Sequence, residues 1–295
     1  MLLKTRLIKG GTETMLFRKS KVGSGFTIVE LLTVMSIIIV LLSLLVPGLN
    51  QVRRYAKDLK QRNQFHSIEV ALDTYNAEWD HYPDSDVDTV DGFDICGATR
   101  LCDALIGEDL LGFDPTGSYD ITTPPIDLSG RRKYLPTENA NAEELGDIYG
   151  DTVSTELNNF DPCDFVLGDV YKRVRNRSTG GARKLGMPVL YYKADTGKTL
   201  HDITEEGNAE NIYNYEDNDD LVQLGRPWIG DSSVADAAHA MSTTHGGDPK
   251  IFYVKTKNYN INFLLGKPLR SDSYILWSAG ADGEYGTDDD ILNTD

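Results

Sequence analysis

Residues 25–47 read GFTIVELLTVMSIIIVLLSLLVP, and this stretch decides how the rest of the chain is organised. No charged residue occurs between Leu31 and Val46. A helix over 26–46 would be about 32 Å long, which is roughly the hydrocarbon thickness of a bilayer. Because such a helix would be apolar on every face, we predict a transmembrane helix rather than a core helix of a soluble domain.

The charges on the two sides of this stretch are unequal. The 295 residues include 29 Lys and Arg and 46 Asp and Glu, a formal net charge of −17. Residues 1–25 carry six basic residues and one acidic residue, so +5 precedes the apolar run and −22 remains for the rest. Positive charge on the N-terminal side predicts a cytoplasmic N-terminus and an extracytoplasmic acidic body. The acidity also argues against nucleic acid as a partner.

Two ordinary export signals, a cleaved signal peptide and a plain signal anchor, do not account for all the features of this stretch. A cleaved signal peptide has an apolar region of about 7–15 residues and a cleavage site of small residues. Here the run is longer and ends at Val46-Pro47-Gly48. A plain signal anchor would leave Glu30 inside the span, where an ionisable group is costly and usually has a partner. A capping box between Thr27 and Glu30 would place that carboxylate at the helix start, but it gives no reason for Gly25-Phe26.

The hexapeptide Gly25-Phe26-Thr27-Ile28-Val29-Glu30 resembles the processing signal of type IV pilins and type II secretion pseudopilins. The basic leader and Pro47, which follows Phe26 by 21 residues, match the same family. The resemblance implies that a prepilin peptidase cuts between Gly25 and Phe26, that the new amino terminus is N-methylated, and that Glu30 is the assembly residue.

The physical chemistry of a buried carboxylate agrees with that role. In a dry environment Glu30 needs a cationic partner, and the freed amino group on Phe26 of a neighbouring subunit would supply one. Such a pair would set the axial register between subunits, as a buried polar residue does in a coiled coil. Pro47 removes one helical hydrogen bond, so we expect a kink or local melting at the end of the span.

Residues 50–83 are predicted to continue this helix as an amphipathic stalk that stops at Tyr82-Pro83. Apolar and aromatic residues recur there at steps of mostly three and four: Val52, Tyr55, Leu59, Phe65, Ile68, Leu72, Tyr75 and Trp79. We expect the half from Phe65 onward to pack on its own domain and the half before it to contact other subunits. The stretch 68–75 with Tyr82-Pro83 also resembles the major type II secretion pseudopilin.

Residues 84–270 read as an acidic, loop-rich insert to which the resemblance does not extend. Short aromatic and β-branched runs predict strands at 188–193, 251–254 and 273–277. Short helices are predicted at 101–111 and 233–241. One basic run is a local exception, either a patch for a partner or a solvated loop; it comprises Arg173, Arg175, Arg177, Arg183 and Lys184.

The insert also holds the three cysteines, Cys96, Cys102 and Cys163. An extracytoplasmic body would experience an oxidising environment, so one disulfide is expected. Cys96–Cys102 is the first choice, with Cys163 pairing to either one, or three free thiols, as alternatives. No zinc spacing is present. Because H-E-x-x-H, G-x-S-x-G and P-loop patterns are also missing, we predict that the chain is not an enzyme.

Residues 271–295 end in a loop that is dense in aspartate and glycine, G280-A-D-G-E-Y-G-T-D-D-D290. Calcium takes 6–8 oxygen ligands from carboxylates, carbonyls and water, although a solvated acidic tail is the alternative and the spacing is not that of an EF-hand. The loop resembles the calcium loop of the major pseudopilins. That resemblance implies ligation by the side chains of Asp282, Asp288 and Asp290 and the carbonyl of Ala279, with Asp289 a weaker candidate.

The sequence therefore predicts an α+β fold, with a long N-terminal helix packed on a small antiparallel sheet, a large insert and a C-terminal calcium loop. The predicted divisions are a cleaved leader (1–25), a transmembrane and assembly helix (26–49), a stalk (50–83), the insert (84–270) and the C-terminal strand and loop (271–295).

The resemblance implies a structural subunit of a type II secretion pseudopilus in the inner membrane. Its partners would be copies of itself, other pseudopilins, the prepilin peptidase and the inner-membrane assembly platform. A type IV pilus subunit for adhesion, motility or DNA uptake is the first alternative. An extracytoplasmic enzyme or binding module on a signal anchor is the second.

Overall fold

A computed structural model describes residues 25–90, 92–115, 130–153, 159–176, 183–229, 235–260 and 267–294. The chain divides into two compact units, Met1–Gln51 and Val52–Asp295. A single helix of 52 residues, α1 (Ile28–Trp79), belongs to both. Apart from Gly25, the predicted leader lies outside the described residues.

In the first unit, α1 carries the apolar run, and all of its residues up to Gln51 are exposed. The helix continues through Pro47 without a break, so the local melting predicted there is wrong. A proline inside a helix removes one hydrogen bond, while the turns on either side keep theirs.

In the second unit, α1 ends at Trp79, close to the predicted stop at Tyr82-Pro83. Asp80 adopts a left-handed φ of 62°, and its N–H donates to the carbonyl of Asn76 at 2.8 Å. This geometry closes the last turn of the helix, as a left-handed residue commonly does. The predicted stalk helix is confirmed.

The rest of the second unit combines short helices with short strands. The helices are α2 (Gly97–Ile106), α3 (Thr137–Ala140), α4 (Leu145–Tyr149), α5 (Asp219–Gln223) and α6 (Lys250–Lys255), and 3₁₀ turns lie at Gly150–Val153, Tyr215–Asn218, Pro227–Ile229 and Ala235–Ala237. The strands are β1 (Asp88–Val90), β2 (Phe93–Ile95), β3 (Ala142–Glu144), β4 (Phe165–Leu167), β5 (Val174–Arg175), β6 (Lys184–Leu185), β7 (Leu190–Lys193), β8 (Tyr274–Ser278) and β9 (Ile291–Leu292).

Among the described residues all the strand pairs are antiparallel, and the largest sheet has three strands in the order β7-β8-β9. Leu190 lies opposite Trp277, and Ser278 lies opposite Ile291. The pairs β1-β2, β3-β4 and β5-β6 form separate two-stranded sheets. The strands predicted at 188–193 and 273–277 are confirmed as β7 and β8, and the fold is α+β.

The three-stranded sheet separates two hydrophobic cores. Alternate residues of a strand point to opposite faces, so Tyr191 and Leu276 enter the core that holds Phe65, Ile68 and Leu72 of α1. Tyr192 and Trp277 enter the other core, which belongs to the insert and includes Tyr149, Tyr213 and Phe252. The later half of the stalk therefore packs on the sheet, as predicted, and the insert covers the opposite face.

The strand predicted at 251–254 is wrong, because these residues form the single-turn helix α6. Phe252 and Tyr253 of this helix are both buried in the core of the insert. Asp248 accepts the N–H of Lys250 at 3.0 Å, and Pro249 precedes the first helical residue. Asp-Pro is a helix-start signal that outweighs the β propensity of the four residues.

Of the two predicted short helices, one is present and the other is reduced to a short turn in the described residues. The helix expected at 101–111 is α2, which begins earlier, at Gly97, and ends at Ile106. Of the helix expected at 233–241, the described residues form only the 3₁₀ turn Ala235–Ala237.

Candidate functional site

The first candidate site is the start of α1, where Thr27 and Glu30 form a reciprocal capping box. The N–H of Thr27 donates to Oε2 of Glu30 at 2.9 Å, and the Thr27 hydroxyl donates to the same oxygen at 2.7 Å. The N–H of Glu30 donates back to Oγ1 of Thr27 at 3.2 Å. These bonds satisfy N–H groups that the first helical turn leaves without partners. In a single chain, Glu30 is therefore not an orphan carboxylate.

Phe26 lies just before this cap and is 79% exposed. Gly25 is exposed as well, and a Cβ placed on it would have no heavy atom within 4 Å. The predicted processing bond between these two residues is therefore accessible.

No described part of the protein covers the apolar part of α1. Among the described residues, α1 is the one helix long and apolar enough to cross a membrane, and its most apolar window is entirely unburied. A row of large apolar side chains is exposed to the end of the run. Transfer of such side chains out of water is strongly favourable, so this segment needs a membrane or other protein surfaces around it.

The exposed surface extends beyond the apolar run into the second unit. Val52 is 64% exposed, Tyr55 65% and Leu59 45%. The first buried residue of α1 is Gln61, whose Oε1 accepts the N–H of Val170 at 3.0 Å. Of the part before Phe65 that was expected to contact other subunits, the residues up to Lys60 include no buried one, whereas Gln61 and Gln64 are buried in the folded body.

The second candidate site is the acidic loop between β8 and β9, in which Asp289 is the central side chain. Its Oδ2 accepts the backbone N–H groups of Ala281 at 2.8 Å and Asp282 at 2.9 Å. Its Oδ1 accepts the hydroxyl of Thr287 at 2.7 Å. Asp289, the weakest of the sequence candidates, therefore organises the loop.

Asp282 lies against Asp289 through the same threonine. Its Oδ2 lies 3.1 Å from the Thr287 hydroxyl, which donates its one proton over the shorter distance to Asp289. Its Oδ1 accepts the N–H of Glu284 at 2.8 Å. Partial burial and the neighbouring Asp289 carboxylate raise the pKa of Asp282. Burial opposes ionisation of Asp289 as well, but hydrogen bonds from Thr287 and Asp282 lower its pKa. Asp282 therefore holds its proton more strongly than a free aspartate, and Asp289 holds its proton less strongly.

Asp290 has an internal cation instead. Its side chain is 1% exposed, and its Oδ2 lies 3.6 Å from Nζ of Lys255. The same oxygen accepts the N–H of Gly286 at 2.8 Å, and Lys255 also donates to the carbonyl of Thr287. Burial raises the pKa of Asp290 to about 8, although the lysine opposes this. Lys255 is thus the cation beside Oδ2 of this carboxylate.

The other two predicted ligands are not directed at a common point. Asp288 is exposed, and the carbonyl of Ala279 accepts the N–H of Gly283 at 3.2 Å. Within the described ranges, no group of three or more His, Cys, Asp or Glu side chains is arranged to hold a metal ion. The structure brings together Asp282, Asp289 and Thr287, which is a different group from the predicted set. Serine and threonine hydroxyls between aspartates are the sequence signal that would have pointed to Thr287.

The disulfide expected between Cys96 and Cys102 is not formed, since all three cysteines are free thiols. Cys96 precedes α2, and Cys102 lies six residues further along the chain. Six helical residues rise by about 9 Å, beyond the roughly 7 Å between Cα atoms that a disulfide can span. The two thiols enter different cores, whereas Cys163 is exposed.

No protein-family model, curated protein or solved structure matches the chain.

Proposed function

We propose that this chain is a membrane-anchored structural subunit of a pilin-like filament, and specifically a pseudopilin of a type II secretion system. One observation carries the proposal. The hexapeptide Gly25–Glu30 opens a helix whose apolar half is not covered by any of the described residues and whose later half packs in the core of the folded body. A subunit that waits in a membrane and then stacks with its copies needs both halves on one helix.

Assembly in this proposal is an exchange of partners at Glu30. In the single chain the carboxylate is held by Thr27. Cleavage before Phe26 would create an amino group that can pair with Glu30 of a neighbour, and a charged donor forms a stronger bond than a hydroxyl. The exposed residues Val52, Tyr55 and Leu59 would extend the contact between subunits along the stalk.

The mature N-terminus is the direct test. Mass spectrometry of the chain purified from its own membranes should find an N-terminal Phe26 that carries a methyl group. An intact Met1, or cleavage elsewhere, would overturn the proposal.

The assembly role has a matched pair of variants. Glu30→Ala should be cleaved normally but should abolish sedimentable filaments. Thr27→Ala removes the cap and keeps the carboxylate, so it should still assemble. Normal filaments from Glu30→Ala would contradict the pairing role.

Deletion of the gene distinguishes the two kinds of filament. Loss of enzyme secretion with intact twitching motility and transformation supports a pseudopilus. Intact secretion with loss of surface pili would assign the subunit to a type IV pilus instead.

We also propose that the acidic loop takes a calcium ion, at Asp282 and Asp289 rather than around Asp290. The adjacent carboxylates support this, since calcium takes carboxylate oxygens as ligands and its charge would offset their mutual repulsion. Calcium should raise the melting temperature of the full chain in detergent, and Asp282→Asn should remove the shift. Asp195→Asn, at a surface aspartate, is the control and should keep it. No shift in the wild type, or an equal shift in Asp282→Asn, would count against the site.

A further inference from the structure

The second unit contains a cleft of about 770 Å³ whose charge is opposite to that of the chain. Among the described residues that line it there is no carboxylate, although the whole chain carries −17. Its cationic side chains are Lys57 of α1 together with Lys172, Arg173, Arg175 and Lys184, and its apolar and aromatic surface comes from Tyr171, Val174, Pro227, Trp228 and Ala281.

These cations are available to an incoming anion. Within the part of the chain that the structure describes, Arg173, Arg175 and Lys184 form no ion pair. Arg183, beside them in the sequence, differs because it pairs with Glu143 at 2.5 Å. The Arg177 of the same basic run lies outside the described residues. The basic run, for which a solvated loop was the alternative, therefore lines this cleft with most of its described residues.

The floor of the cleft is held in place by tight packing. The guanidinium of Arg173 lies over the ring of Trp228, 5.2 Å from its centroid. Gly283 of the acidic loop has a φ of +75°, and a Cβ there would lie 2.5 Å from Cη2 of Trp228. Only glycine permits this approach, so the aromatic ring and the arginine on it have a defined position.

The same chain presents a segment with the complementary character. Residues Asp86–Val90 are all exposed, and in an extended chain Asp86 and Asp88 share one face while Val87 lies on the other. Asp86 forms no ion pair among the described residues, and Asp88 lies 3.5 Å from Arg100. The segment thus offers carboxylates to the arginines and a valine to the aromatic floor.

A chain does not fill its own cleft with this segment. Ser85, directly before it, is buried; its hydroxyl donates to Asp217 and accepts the N–H of Lys193 at 2.9 Å. The β1-β2 pairing holds the segment from the other side. Neither Lys193 nor Asp217 lines the cleft, so the segment is anchored elsewhere on the same unit.

We propose that the basic cleft of one copy of this chain docks the segment 86–90 of a second copy. The contact joins two different surfaces and is therefore heterologous, so it repeats from copy to copy and builds an open filament rather than a closed dimer. Arginine suits this role because its planar guanidinium binds a carboxylate through two hydrogen bonds. The inference rests on the proposed function, to which it adds a specific contact between the folded bodies.

Cysteine cross-linking of the full chain in its membrane tests the contact. Asp86→Cys and Arg175→Cys are combined in one chain in a Cys163→Ser background, which removes the exposed native thiol. Mild oxidation should yield a ladder of oligomers, whereas a mixture of the two single variants should stop at dimers. Filaments that sediment normally but give no ladder would overturn this inference and leave the proposed function intact.

A charge exchange tests the same contact without oxidation. Arg173→Glu with Arg175→Glu should lower the sedimented fraction by at least about tenfold, because like charges would then face each other. Adding Asp86→Lys and Asp88→Lys should restore it. Lys198→Glu, which reverses a charge outside the cleft, is the control and should assemble normally. Failure of the exchange to restore assembly would assign the cleft to another anion, such as an acidic polysaccharide, and would contradict the inference.

One further outcome would disprove the proposed function itself rather than this inference alone. If the wild-type chain forms no sedimentable filaments and Glu30→Ala changes nothing, the filament function itself is wrong, and this inference falls with it.

Discussion

The two halves of α1 belong to one unbroken helix but meet opposite surroundings. From Ile28 to Lys57 every residue is exposed, although most of the residues up to Val46 are apolar. From Gln61 to Tyr75 seven residues are buried, and two of them are glutamines. Apolar character alone therefore does not place a residue in the core of this chain.

The difference lies in the pattern of apolar residues around the helix. The first half is apolar on every face, so no single sheet can cover it, and its partners must surround it. The second half has one stripe, which the three-stranded sheet and α2 cover within the chain. Each half of α1 can be perturbed separately by matched substitutions.

The largest effect on stability is expected from Leu72→Ala. Leu72 is fully buried between α1 and the sheet, so its truncation should cost about 2–5 kcal/mol of the free energy of unfolding. Leu42→Ala, the same change in the exposed half, should cost less than about 0.5 kcal/mol. Thermal unfolding of the full chain in detergent, followed by near-UV circular dichroism, measures both. Equal effects would mean that the two halves do not differ as described.

Glycine substitutions should show the next largest difference. Gly283→Ala places a methyl group against Trp228 at a φ of +75°, and the strain and overpacking should cost roughly 2–4 kcal/mol. Gly48→Ala, inside α1 with no atom within 4 Å, should stabilise the helix by about 0.5–1 kcal/mol. The melting temperature should thus fall for the first variant and hold or rise for the second. Any other ordering would contradict the close packing of Gly283.

Gln64→Ala tests whether polar burial stabilises the second half. Nε2 of Gln64 donates to the carbonyl of Gly168 at 2.9 Å, and removing it should leave that buried acceptor without its donor, at a cost of about 1–3 kcal/mol. Gln51→Ala, at an exposed position of the same helix, is the control and should be close to neutral. A neutral Gln64→Ala in denaturant unfolding would show that the bond contributes nothing.

The last expected effect is a dependence of stability on pH that belongs to the folded body. Burial raises the pKa of Asp290 from 3.8 to about 8 and that of Asp169 to about 7. Between the ordinary pKa of 3.8 and these raised values, the folded state binds more protons than the unfolded state. The free energy of unfolding should therefore fall as pH rises from about 4 to about 8. Melting temperatures at pH 5 and pH 8 measure the fall, and Asp290→Asn should reduce it. A melting temperature that rises over this range would contradict the assigned direction.

Patterns carried by local chemistry were predictable from the sequence. The apolar run and the stripe after Phe65 gave the long helix, and aromatic runs gave β7 and β8. The strands β1 to β6 were not predictable, because each has only two or three residues and depends on its partner. The strand expected at 251–254 failed since Asp248-Pro249 starts a helix there.

In the acidic loop, too, the sequence does not determine which side chain makes which contact. Its composition predicts an oxygen-rich loop, but three adjacent aspartates give no information about which one points inward. The backbone N–H groups of Ala281 and Asp282 select Asp289, and Lys255, 35 residues before Asp290, selects that carboxylate. Both choices depend on contacts that spacing along the chain does not contain.

The free thiols have a consequence for how the stability of this body depends on redox conditions. Burial raises the pKa of Cys96 to about 11 and that of Cys102 well above its usual value, so neither forms the reactive thiolate at neutral pH. Because no covalent cross-link contributes to the fold, its stability should be the same with or without a reductant. Of the three thiols, Cys163 is the one that is exposed and open to labelling.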